Sequence, residues 1–464
     1  PKVRLPEKPE IEVVPADFDI HGARRESLNY TSKQHAALAM IQSRIIDGDE
    51  QRFVMAGFAG TGKTTIVENM ARYATSKGKG VVMSALTNTA VQRLREKNGK
   101  GIGSYSTIHA MLYGAPDPVT GEWIPSSEFS KNSLVIVDEA SMVNTTLYED
   151  LQYEVVGKGG SIIYVGDSFQ LKPIPSDQDP KILDDNDIEL TEVTRQGLDS
   201  EILKYATALR SAKRVFIPKE SRGDITVTGD ASVEFLNDVR NDRDVVFVVA
   251  TNPSRNGLNK RARAAKYGDQ AENPINKNER LIGIANGPHK NGETFTIENI
   301  PKDIIYEQIP VEVKDRQGGT RIQKLDGYIF DNGITQTLLL PDTGKIPSIY
   351  HGQITPTDSA LRVDDKAGTV DKSVDIITYG YAMTAHKSQG NEWEKVYVKQ
   401  DYFEDNARWL YTAITRAQSK LVIQRTNQRP AEWDGIDKAA EKAGADVDTP
   451  VPTAPVTKPP KPKK

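Results

Sequence analysis

The chain has 464 residues, of which 37% are hydrophobic and 27% are charged, and its formal net charge is −4 at pH 7. This length allows more than one domain with its own core, and the charge argues against a uniformly basic nucleic-acid-binding surface. The absence of cysteine excludes disulfides and thiolate zinc sites, and no apolar run approaches the ~20 residues of a membrane span. Residues 1–29 lack the apolar centre of a signal peptide, so we expect a poorly ordered lead and a cytoplasmic protein with no membrane partner.

Short apolar runs that end in polar or glycine residues recur from residue 30 onward. Each run has the length of a buried strand, and the stretches between them can form crossover helices, so we predict an α/β protein with two parallel sheets. The runs of the first set are 53–56, 81–85, 134–137 and 162–165. The runs of the second set are 245–250, 376–379, 396–398 and 421–423.

Two segments differ from this pattern. Residues 281–375 are interrupted by glycine and proline, and the short runs 293–298 and 336–340 predict strands, so we expect a β-rich insertion, for which a barrel is one candidate form. The sequence TPVPTAPVTKPPKPKK at 449–464 contains four lysines and no acidic residue. Its proline content predicts an extended tail.

The stretch GFAGTGKTT at 57–65 follows the first apolar run and fits the pattern G-x-x-x-x-G-K-T. Glycines let backbone N–H groups curl around a phosphate, and the helix predicted after the loop adds its positive N-terminal end. Lys63 is expected to reach the β- and γ-phosphates, and the Thr64 hydroxyl to ligate Mg²⁺. The alternative is a purely structural glycine turn that joins a strand to a helix. The predicted nucleotide-binding residues of the loop are Gly57, Gly60, Thr61, Gly62, Lys63, Thr64 and Thr65.

Two further apolar runs end in groups that suit phosphate chemistry. Asp138 and Glu139 follow the run 134–137, where Asp138 is a candidate for Mg²⁺ and Glu139 for orienting the attacking water. Gln170 follows the run 162–165 and is a candidate for sensing the γ-phosphate. Alone, each of these would be a solvated turn, and the preceding phosphate-binding loop is what makes them candidates.

Phosphoryl transfer also needs positive charge where negative charge develops on the γ-phosphoryl oxygens. Arg195 in LTEVTRQ and Arg416 in LYTAITRAQ are the candidates. An isolated arginine is generally a surface residue, so their candidacy depends on the order of motifs along the chain.

That order resembles superfamily 1 DNA helicases, and the motifs GDSFQLKP, LTEVTRQ and TAHKSQG resemble the RecD-like subfamily (superfamily 1B), which moves 5′ to 3′ and includes the phage Dda-type helicases. The resemblance spans about residues 30–426. Its eight motifs are GFAGTGKTT, ALTNTA, STIH, VDEAS, GDSFQLKP, LTEVTRQ, TAHKSQGNEW and LYTAITRA.

The resemblance implies two RecA-like lobes with ATP and Mg²⁺ in the cleft between them. By position, Gln34 would contact adenine, Gln389 and Glu392 would lie near the nucleotide, and Arg195 and Arg416 would reach ATP from opposite sides. The residues that would contact single-stranded DNA are Thr87, Asn88, His109, Thr384, His386 and Ser388.

The resemblance also implies a domain organisation. The segments would be an N-terminal lead at 1–29, a first lobe at 30–195 with a β-hairpin pin at 113–127, a second lobe at 196–280 and 376–427, an SH3-like insertion at 281–375, and a C-terminal extension at 428–464. Trp123 in the pin is the candidate wedge for strand separation. The alternative for the pin is an ordinary surface hairpin with Trp123 packed on its own lobe.

The sequence therefore favours an ATP-driven 5′-to-3′ translocase that unwinds duplex DNA, in a bacterial or phage-infected cytoplasm. The DNA preference and the direction are inherited from the resemblance. An RNA-directed helicase and a nucleic-acid-binding module with a vestigial ATPase remain the alternatives. We expect a monomer that binds single-stranded DNA and fork or overhang duplexes, with the tail as a candidate attachment site for a single-stranded-DNA-binding protein or another replisome component.

Overall fold

The computed structural model describes most of the chain between residues 30 and 442. The described residues are 30–98, 101–113, 128–173, 179–192, 200–284, 289, 292–314, 320–331, 336–340, 355–356, 375–399, 406–425, 430–431 and 433–442. The predicted lead at 1–29, residues 114–127 of the predicted pin and the predicted tail lie outside these ranges.

The first lobe is built on a six-stranded sheet in which all paired strands are parallel, with the order β3-β2-β4-β5-β1-β6. Its strands are β1 (Arg52–Gly57), β2 (Gly80–Ala85), β3 (Ser104–Thr107), β4 (Ser133–Asp138), β5 (Ser161–Gly166) and β6 (Ile188–Leu190). The four predicted strands of the first set are confirmed. The edge strands β3 and β6 were missed, because they are short and contain polar residues.

Helices cover both faces of this sheet. They are α1 (Ser32–Ile41), α2 (Lys63–Ser76), α3 (Asn88–Asn98), α4 (Ile108–Leu112) and α5 (Thr145–Leu151). In β1, Phe53 and Met55 pack into one buried cluster and Val54 into another, because successive side chains of a strand point to opposite faces. Burial on both faces explains why the central strands are almost continuously apolar.

The second lobe is built on a five-stranded parallel sheet with the order β17-β9-β18-β19-β8. Its strands are β8 (Ile225–Thr228), β9 (Val245–Val249), β17 (Ala382–Thr384), β18 (Trp393–Lys399) and β19 (Ala417–Gln424). The runs 245–250, 396–398 and 421–423 are therefore confirmed as strands of a second parallel sheet. A short parallel pair, β7 (Ile217–Pro218) with β20 (Pro430–Ala431), lies beside it.

The helices of the second lobe surround this sheet. They are α6 (Glu201–Ala212), α7 (Ser232–Arg240), α8 (Asn252–Tyr267), α9 (Ala385–Ser388), α10 (Asn406–Ile414) and α11 (Trp433–Lys442). None of the helices within the described ranges combines the length and the apolar character that crossing a bilayer would need.

A third sheet of seven strands has the order β11-β10-β16-β14-β13-β12-β15 and is antiparallel except between β14 and β16. Its strands are β10 (Glu279–Gly283), β11 (Thr294–Ile297), β12 (Ile305–Lys314), β13 (Thr320–Asp331), β14 (Gln336–Leu339), β15 (Thr355–Pro356) and β16 (Asp375–Tyr379). The described part of 281–375 is thus rich in β-strands, and its SH3-like character stays a prediction.

The placement of 376–379 in the second parallel sheet was wrong. This run forms β16, which pairs with β10 and β14 in the seven-stranded sheet, and β17 occupies the edge of the parallel sheet instead. The chain changes sheets at Gly380, where an added Cβ would lie 3.0 Å from the carbonyl oxygen of Leu281. A short strand buried on both faces has the same apolar pattern in either sheet, so its residues do not reveal its neighbours.

Phe235 of α7 anchors the second lobe, with ring-centroid distances of 5.2 Å to Phe247 and 5.4 Å to Tyr397. We expect Phe235→Ala to lower the free energy of unfolding of this lobe by about 3–5 kcal/mol, because the truncation leaves a cavity among packed rings. Urea titration followed by circular dichroism measures this. Val233→Ala on the same helix is the matched control, since Val233 is 64% exposed. Equal losses in the two variants would contradict the anchoring role.

Candidate active site

The phosphate-binding loop (residues 57–65) joins the end of β1 to the start of α2. Gly60 and Gly62 adopt φ values of +75° and +73°, a left-handed conformation that costs side-chain-bearing residues free energy. A Cβ at Gly57 would lie 3.2 Å from the Lys63 Cδ atom, so the loop curls closely around the lysine. The predicted loop therefore has the backbone that presents N–H groups to an anion at a helix N-terminus.

Side chains inside the loop hold this shape. Lys63 Nζ donates hydrogen bonds to the carbonyl oxygens of Gly57 (2.9 Å) and Phe58 (2.8 Å). The buried Thr61 donates from Oγ1 to the Phe58 carbonyl at 2.8 Å. Thr64 and Thr65 lie in the first turn of α2 and are half-buried.

Gln34 ties α1 to the same loop. Its Nε2 donates to the Thr61 carbonyl at 2.8 Å, and its Oε1 accepts from the Thr31 backbone N–H at 2.8 Å. The Thr31 hydroxyl in turn accepts from the Gln34 backbone N–H, which completes a capping box. The buried Gln34 therefore lies beside the loop, where it supports the loop backbone, and its contact with adenine stays a prediction.

The two carboxylates emerge at the carboxyl edge of the sheet that also carries the loop. β4 ends at Asp138, and β5 lies between it and β1. Asp138 Oδ1 accepts from the Glu139 backbone N–H at 2.9 Å. Glu139 has φ +52° and ψ +42°, a left-handed backbone that is uncommon for a residue other than glycine and that often occurs at functional sites.

The third-motif turn (residues 167–171) follows β5. Asp167 has no exposed surface, and its carboxylate accepts from the Phe169 backbone N–H, from the Arg210 guanidinium and from the Tyr411 hydroxyl. Gln170 is buried, and its Oε1 has no hydrogen-bond partner among the described residues. An acceptor buried in this way costs free energy unless a ligand or water satisfies it, and the role of Gln170 in sensing the γ-phosphate stays a prediction.

α10 of the second lobe lies against this turn. The whole contact surface between the two lobes is called the seam below. Across the seam, Thr412 Oγ1 accepts from the Leu171 backbone N–H at 3.0 Å, and Gln389 Nε2 donates to the Leu171 carbonyl at 3.1 Å. Arg408 NH1 donates to the Ser168 carbonyl at 2.5 Å. The predicted nucleotide-site residue Gln389 is thus at the seam.

Arg416 follows α10 and is 4% exposed. Its guanidinium donates to the carbonyl oxygens of Thr412 and Asn391 and to the Thr415 hydroxyl, at 3.1 Å, 3.4 Å and 3.2 Å. These partners all belong to the second lobe, and they fix the direction of an arginine that would otherwise be buried without partners.

Arg93 of α3 was not singled out by the sequence analysis. Its NH1 lies 3.5 Å from Glu392 Oε1, which joins the two lobes by an ion pair. Burial lowers the pKa of the Arg93 guanidinium, and the positive charge of Arg416 lowers it further. The carboxylates of Glu392 and Glu139 raise this pKa and so oppose the effect of burial. These four charges therefore form one cluster at the seam. Arg93 lies in a charged helical stretch, QRLREK, that is indistinguishable from a solvated face by sequence.

The predicted DNA-contacting residues lie near the same edges of the two sheets. Thr87 and Asn88 lie at the start of α3, and the Thr87 hydroxyl accepts from the Ala90 N–H at 3.2 Å. His109 is an exposed residue of α4.

In the second lobe, Thr384 ends β17 and His386 lies in α9. Ser388 is fully buried and donates its hydroxyl to the Ala385 carbonyl at 2.8 Å, so this side chain is engaged within α9. Arg195 and Trp123 lie outside the described residues, and their roles stay predictions.

Two protein families match separate parts of the chain. An AAA domain matches residues 29–230, and a UvrD-like helicase C-terminal domain matches residues 379–424. The first match contains the phosphate-binding loop and the third-motif turn, and the second contains Gln389, Glu392 and Arg416.

A curated relative, the ATP-dependent RecD2 DNA helicase of Deinococcus radiodurans, is 26% identical over 420 residues, which are 88% of this chain and 51% of the relative. A probable conjugal transfer protein TraA of Sinorhizobium fredii is 26% identical over 158 residues, which are 33% of this chain and 13% of that protein. The chain thus spans about half the length of the first relative and a smaller part of the second.

Among solved structures, a Pif1 helicase from Bacteroides in complex with ADP-AlF3 and ssDNA is 18% identical, with 90% of this chain and 97% of that chain covered and a TM-score of 0.46. A Pif1 helicase from Candida albicans is 17% identical, with 90% and 99% covered and a TM-score of 0.46. The two domain matches and the RecD2 relative support a superfamily 1B helicase, as the motifs predicted, whereas the Dda-type subclass stays a prediction.

The two lobes approach closely at Gly390, which has φ +76°; an added Cβ would lie 2.8 Å from the Thr87 hydroxyl of the first lobe. We expect Gly390→Ala to lower the rate of the ATP hydrolysis that is proposed below by about tenfold or more, because the methyl group prevents the lobes from closing on correctly placed groups. A coupled-enzyme ATPase assay measures this.

Gly268→Ala is the matched control for this substitution. Gly268 also has a positive φ, +57°, but an added Cβ there would meet no atom within 4 Å. This variant therefore carries the backbone cost without the clash. If both variants lost the same activity, the clash across the seam would not be the cause.

Proposed function

We propose that this chain is an ATP-dependent 5′-to-3′ single-stranded DNA translocase that unwinds duplex DNA in replication, recombination or repair. The observation that carries the proposal is the seam, where the phosphate-binding loop at the edge of one parallel sheet contacts α10, the helix that Arg416 follows, at the edge of the other. Ala59 N of the loop donates to Tyr411 Oη of α10 at 3.0 Å. A triphosphate held here would contact both lobes, so its hydrolysis would change how they sit against each other.

The side chains at the loop fit a nucleotide triphosphate with Mg²⁺. Lys63 would exchange the loop carbonyls for the β- and γ-phosphates, and Thr64 and Asp138 would hold Mg²⁺, which neutralises phosphate charge. A magnesium ion of this kind needs one or two protein ligands, since phosphates and water supply the rest. Gln34 would contact adenine while its amide supports the loop.

The remaining polar groups of the cleft would carry out hydrolysis. Glu139 would orient and polarise the attacking water, and Gln170, whose buried Oε1 lacks a partner among the described residues, would bind the γ-phosphate or that water. Arg416 would stabilise the negative charge that develops in transfer, and Arg195 would do so from the first lobe. Glu392 would link the nucleotide to Arg93 across the seam.

We further propose that single-stranded DNA crosses both lobes. Hydroxyl, amide and imidazole side chains suit contacts to phosphates, which carry no sequence information and therefore suit a motor. The RecD2 relative is a DNA helicase, which supports DNA as the track. Trp123 is the proposed wedge at the duplex junction. The proposed strand-contacting residues are Thr87, Asn88, His109, Thr384 and His386, whereas Ser388, whose buried hydroxyl bonds to the Ala385 carbonyl, would support α9 instead.

We propose a monomer in the cytoplasm that acts on single-stranded DNA and on fork or overhang duplexes. The lysine- and proline-rich tail at 449–464 is the proposed attachment site for a single-stranded-DNA-binding protein or another replisome component, because an extended cationic chain can reach an acidic partner.

Unwinding of two matched duplexes, one with a 5′ overhang and one with a 3′ overhang, tests the central proposal. We expect ATP-dependent unwinding of the 5′-overhang duplex alone. Unwinding from the 3′ overhang would overturn the direction. Stronger ATPase stimulation by an RNA oligonucleotide than by DNA of the same sequence would favour the RNA-directed alternative, and hydrolysis that no nucleic acid stimulates would favour the vestigial one.

Glu139→Gln tests the assignment of the attacking water. The amide keeps the size of the side chain but cannot act as a base, so we expect kcat for ATP to fall by about 100-fold or more while ATP still binds. Steady-state ATPase assays and equilibrium binding of a fluorescent ATP analogue measure the two quantities. Glu149→Gln, at an exposed position on α5, is the control. Normal turnover in Glu139→Gln would remove this residue from the hydrolytic step.

A further inference from the structure

We propose that Tyr411 is a positioning residue whose hydroxyl makes the phosphate-binding loop and the third-motif turn respond together to the docking of the second lobe. This inference rests on the proposed function, since it concerns how DNA binding stimulates ATP hydrolysis. In the motif LYTAITRA, Tyr411 would therefore act in addition to Arg416.

The hydroxyl of Tyr411 bonds with two elements of the first lobe at once. Its oxygen accepts from the Ala59 backbone N–H of the phosphate-binding loop at 3.0 Å, and it donates its proton to Asp167 Oδ2 in the third-motif turn. A phenol is both a donor and an acceptor, so one side chain can satisfy both partners. Tyr411 is 1% exposed and its ring meets the ring of Phe169 edge-on, with centroids 5.3 Å apart.

The carboxylate that receives this hydrogen bond also accepts from a second donor of the same lobe, the cationic side chain of Arg210. Arg210 of α6 binds Asp167, and it also donates to Ser168 Oγ at 2.7 Å and to Glu189 Oε1 at 2.6 Å. The Arg210 guanidinium lies over the ring of Phe58, 4.0 Å from its centroid. Two successive loop residues, Phe58 and Ala59, therefore contact side chains of the second lobe.

The helix that carries Tyr411, α10, also binds the far end of the third-motif turn. Thr412, the next residue of α10, accepts from the Leu171 N–H at 3.0 Å. Gln170 thus lies between two anchored residues, Phe169 and Leu171. A movement of α10 must change the backbone on both sides of the proposed γ-phosphate sensor, and Tyr411 adds the phosphate-binding loop to that movement.

Burial keeps the Tyr411 phenol protonated across the neutral pH range. Burial raises the pKa of Tyr411 well above its ordinary value, and the negative charge of Asp167 raises it further. A raised phenol pKa keeps the neutral, donating form, so the contact is present across the neutral pH range.

Tyr411→Phe removes the hydroxyl and keeps the ring, and Tyr397→Phe is its matched control. Tyr397 is also a buried tyrosine of the second lobe, and it donates to a carboxylate, Asp238 Oδ2, at 2.6 Å, but it lies in β18, away from the loop. For Tyr411→Phe we expect the kcat of DNA-stimulated ATP hydrolysis to fall by about tenfold, the range expected when a hydrogen bond to a charged group is lost. The kcat without DNA and the Kd for a non-hydrolysable ATP analogue should change far less. Tyr397→Phe should keep the wild-type ratio of stimulated to unstimulated kcat.

Four measurements on the full chain decide the inference: kcat with and without a single-stranded DNA oligonucleotide, the KM for ATP, the Kd for the analogue, and the thermal unfolding midpoint. A ratio of stimulated to unstimulated kcat in Tyr411→Phe equal to that in Tyr397→Phe would overturn it. A parallel fall of both rates together with a lower unfolding midpoint than Tyr397→Phe would also overturn it, because that indicates a structural role alone. If Tyr411→Phe did not fold, Thr412→Val, which removes the acceptor for Leu171, would have to reduce the ratio, and an unchanged ratio would refute the inference.

Measurements on the wild-type protein separate failure of the proposed function from failure of the inference about Tyr411. Absence of DNA stimulation in the wild type would contradict the helicase proposal itself. A stimulated wild type with an unaffected Tyr411→Phe variant would contradict only the role of Tyr411. The double variant Tyr411→Phe with Asp167→Asn should lose less of the ratio than the sum of the two single losses, since both substitutions weaken the contact between Tyr411 and Asp167, and additive losses would count against the inference.

Discussion

The arrangement of the two lobes depends on one carboxylate that is removed from water. Taking a charge out of water costs several kcal/mol unless partners replace the lost solvation. Asp167 has no exposed surface, and its partners Arg210 and Tyr411 come from two helices of the second lobe. A first-lobe turn therefore has its charge satisfied by second-lobe side chains. The third-motif turn and the seam are consequently stable in this form only together.

Around this carboxylate the seam combines a small apolar contact with single hydrogen bonds. Phe169 packs into the hydrophobic core of the second lobe, and Ala59 and Leu171 pack against it from the first lobe. The backbone groups of Ala59 and Leu171 also bond with second-lobe side chains. Each such hydrogen bond contributes roughly 1 kcal/mol net. A contact of this kind, like other interfaces between domains, can open and close during a cycle, whereas the cores of the lobes cannot.

Local patterns predicted the parts of the molecule in which the necessary residues are adjacent in sequence. The phosphate-binding loop is an example, because Gly60 and Gly62 are the residues that take the left-handed conformation. The buried strands of both parallel sheets are another, because burial on two faces requires continuous apolar runs. By contrast, the sheet that β16 joins is decided by contacts with β10 and β14, which are distant in sequence, and its own residues carry no sign of them.

The same distinction applies to the candidate site. Lys63, Asp138, Glu139 and Gln170 could be proposed from the sequence because each follows an apolar strand, and the strands of one parallel sheet end at one edge. Arg93 was missed, since its importance comes from charges on the other lobe. The contact partners of Tyr411 were missed for the same reason, although its motif was recognised. Tertiary contacts between lobes leave no local periodicity or turn signal in the chain.

The strained backbone of Glu139 joins the second-lobe contacts to the proposed site of hydrolysis. Its left-handed conformation persists only if neighbouring structure holds it. The turn after Glu139 packs on the end of β5, where a Cβ at Gly166 would lie 3.1 Å from the Ala140 amide nitrogen. Gly166 immediately precedes Asp167, whose partners are on α6 and α10. The contacts are thus continuous from the second lobe to the turn that carries the carboxylate proposed to orient water.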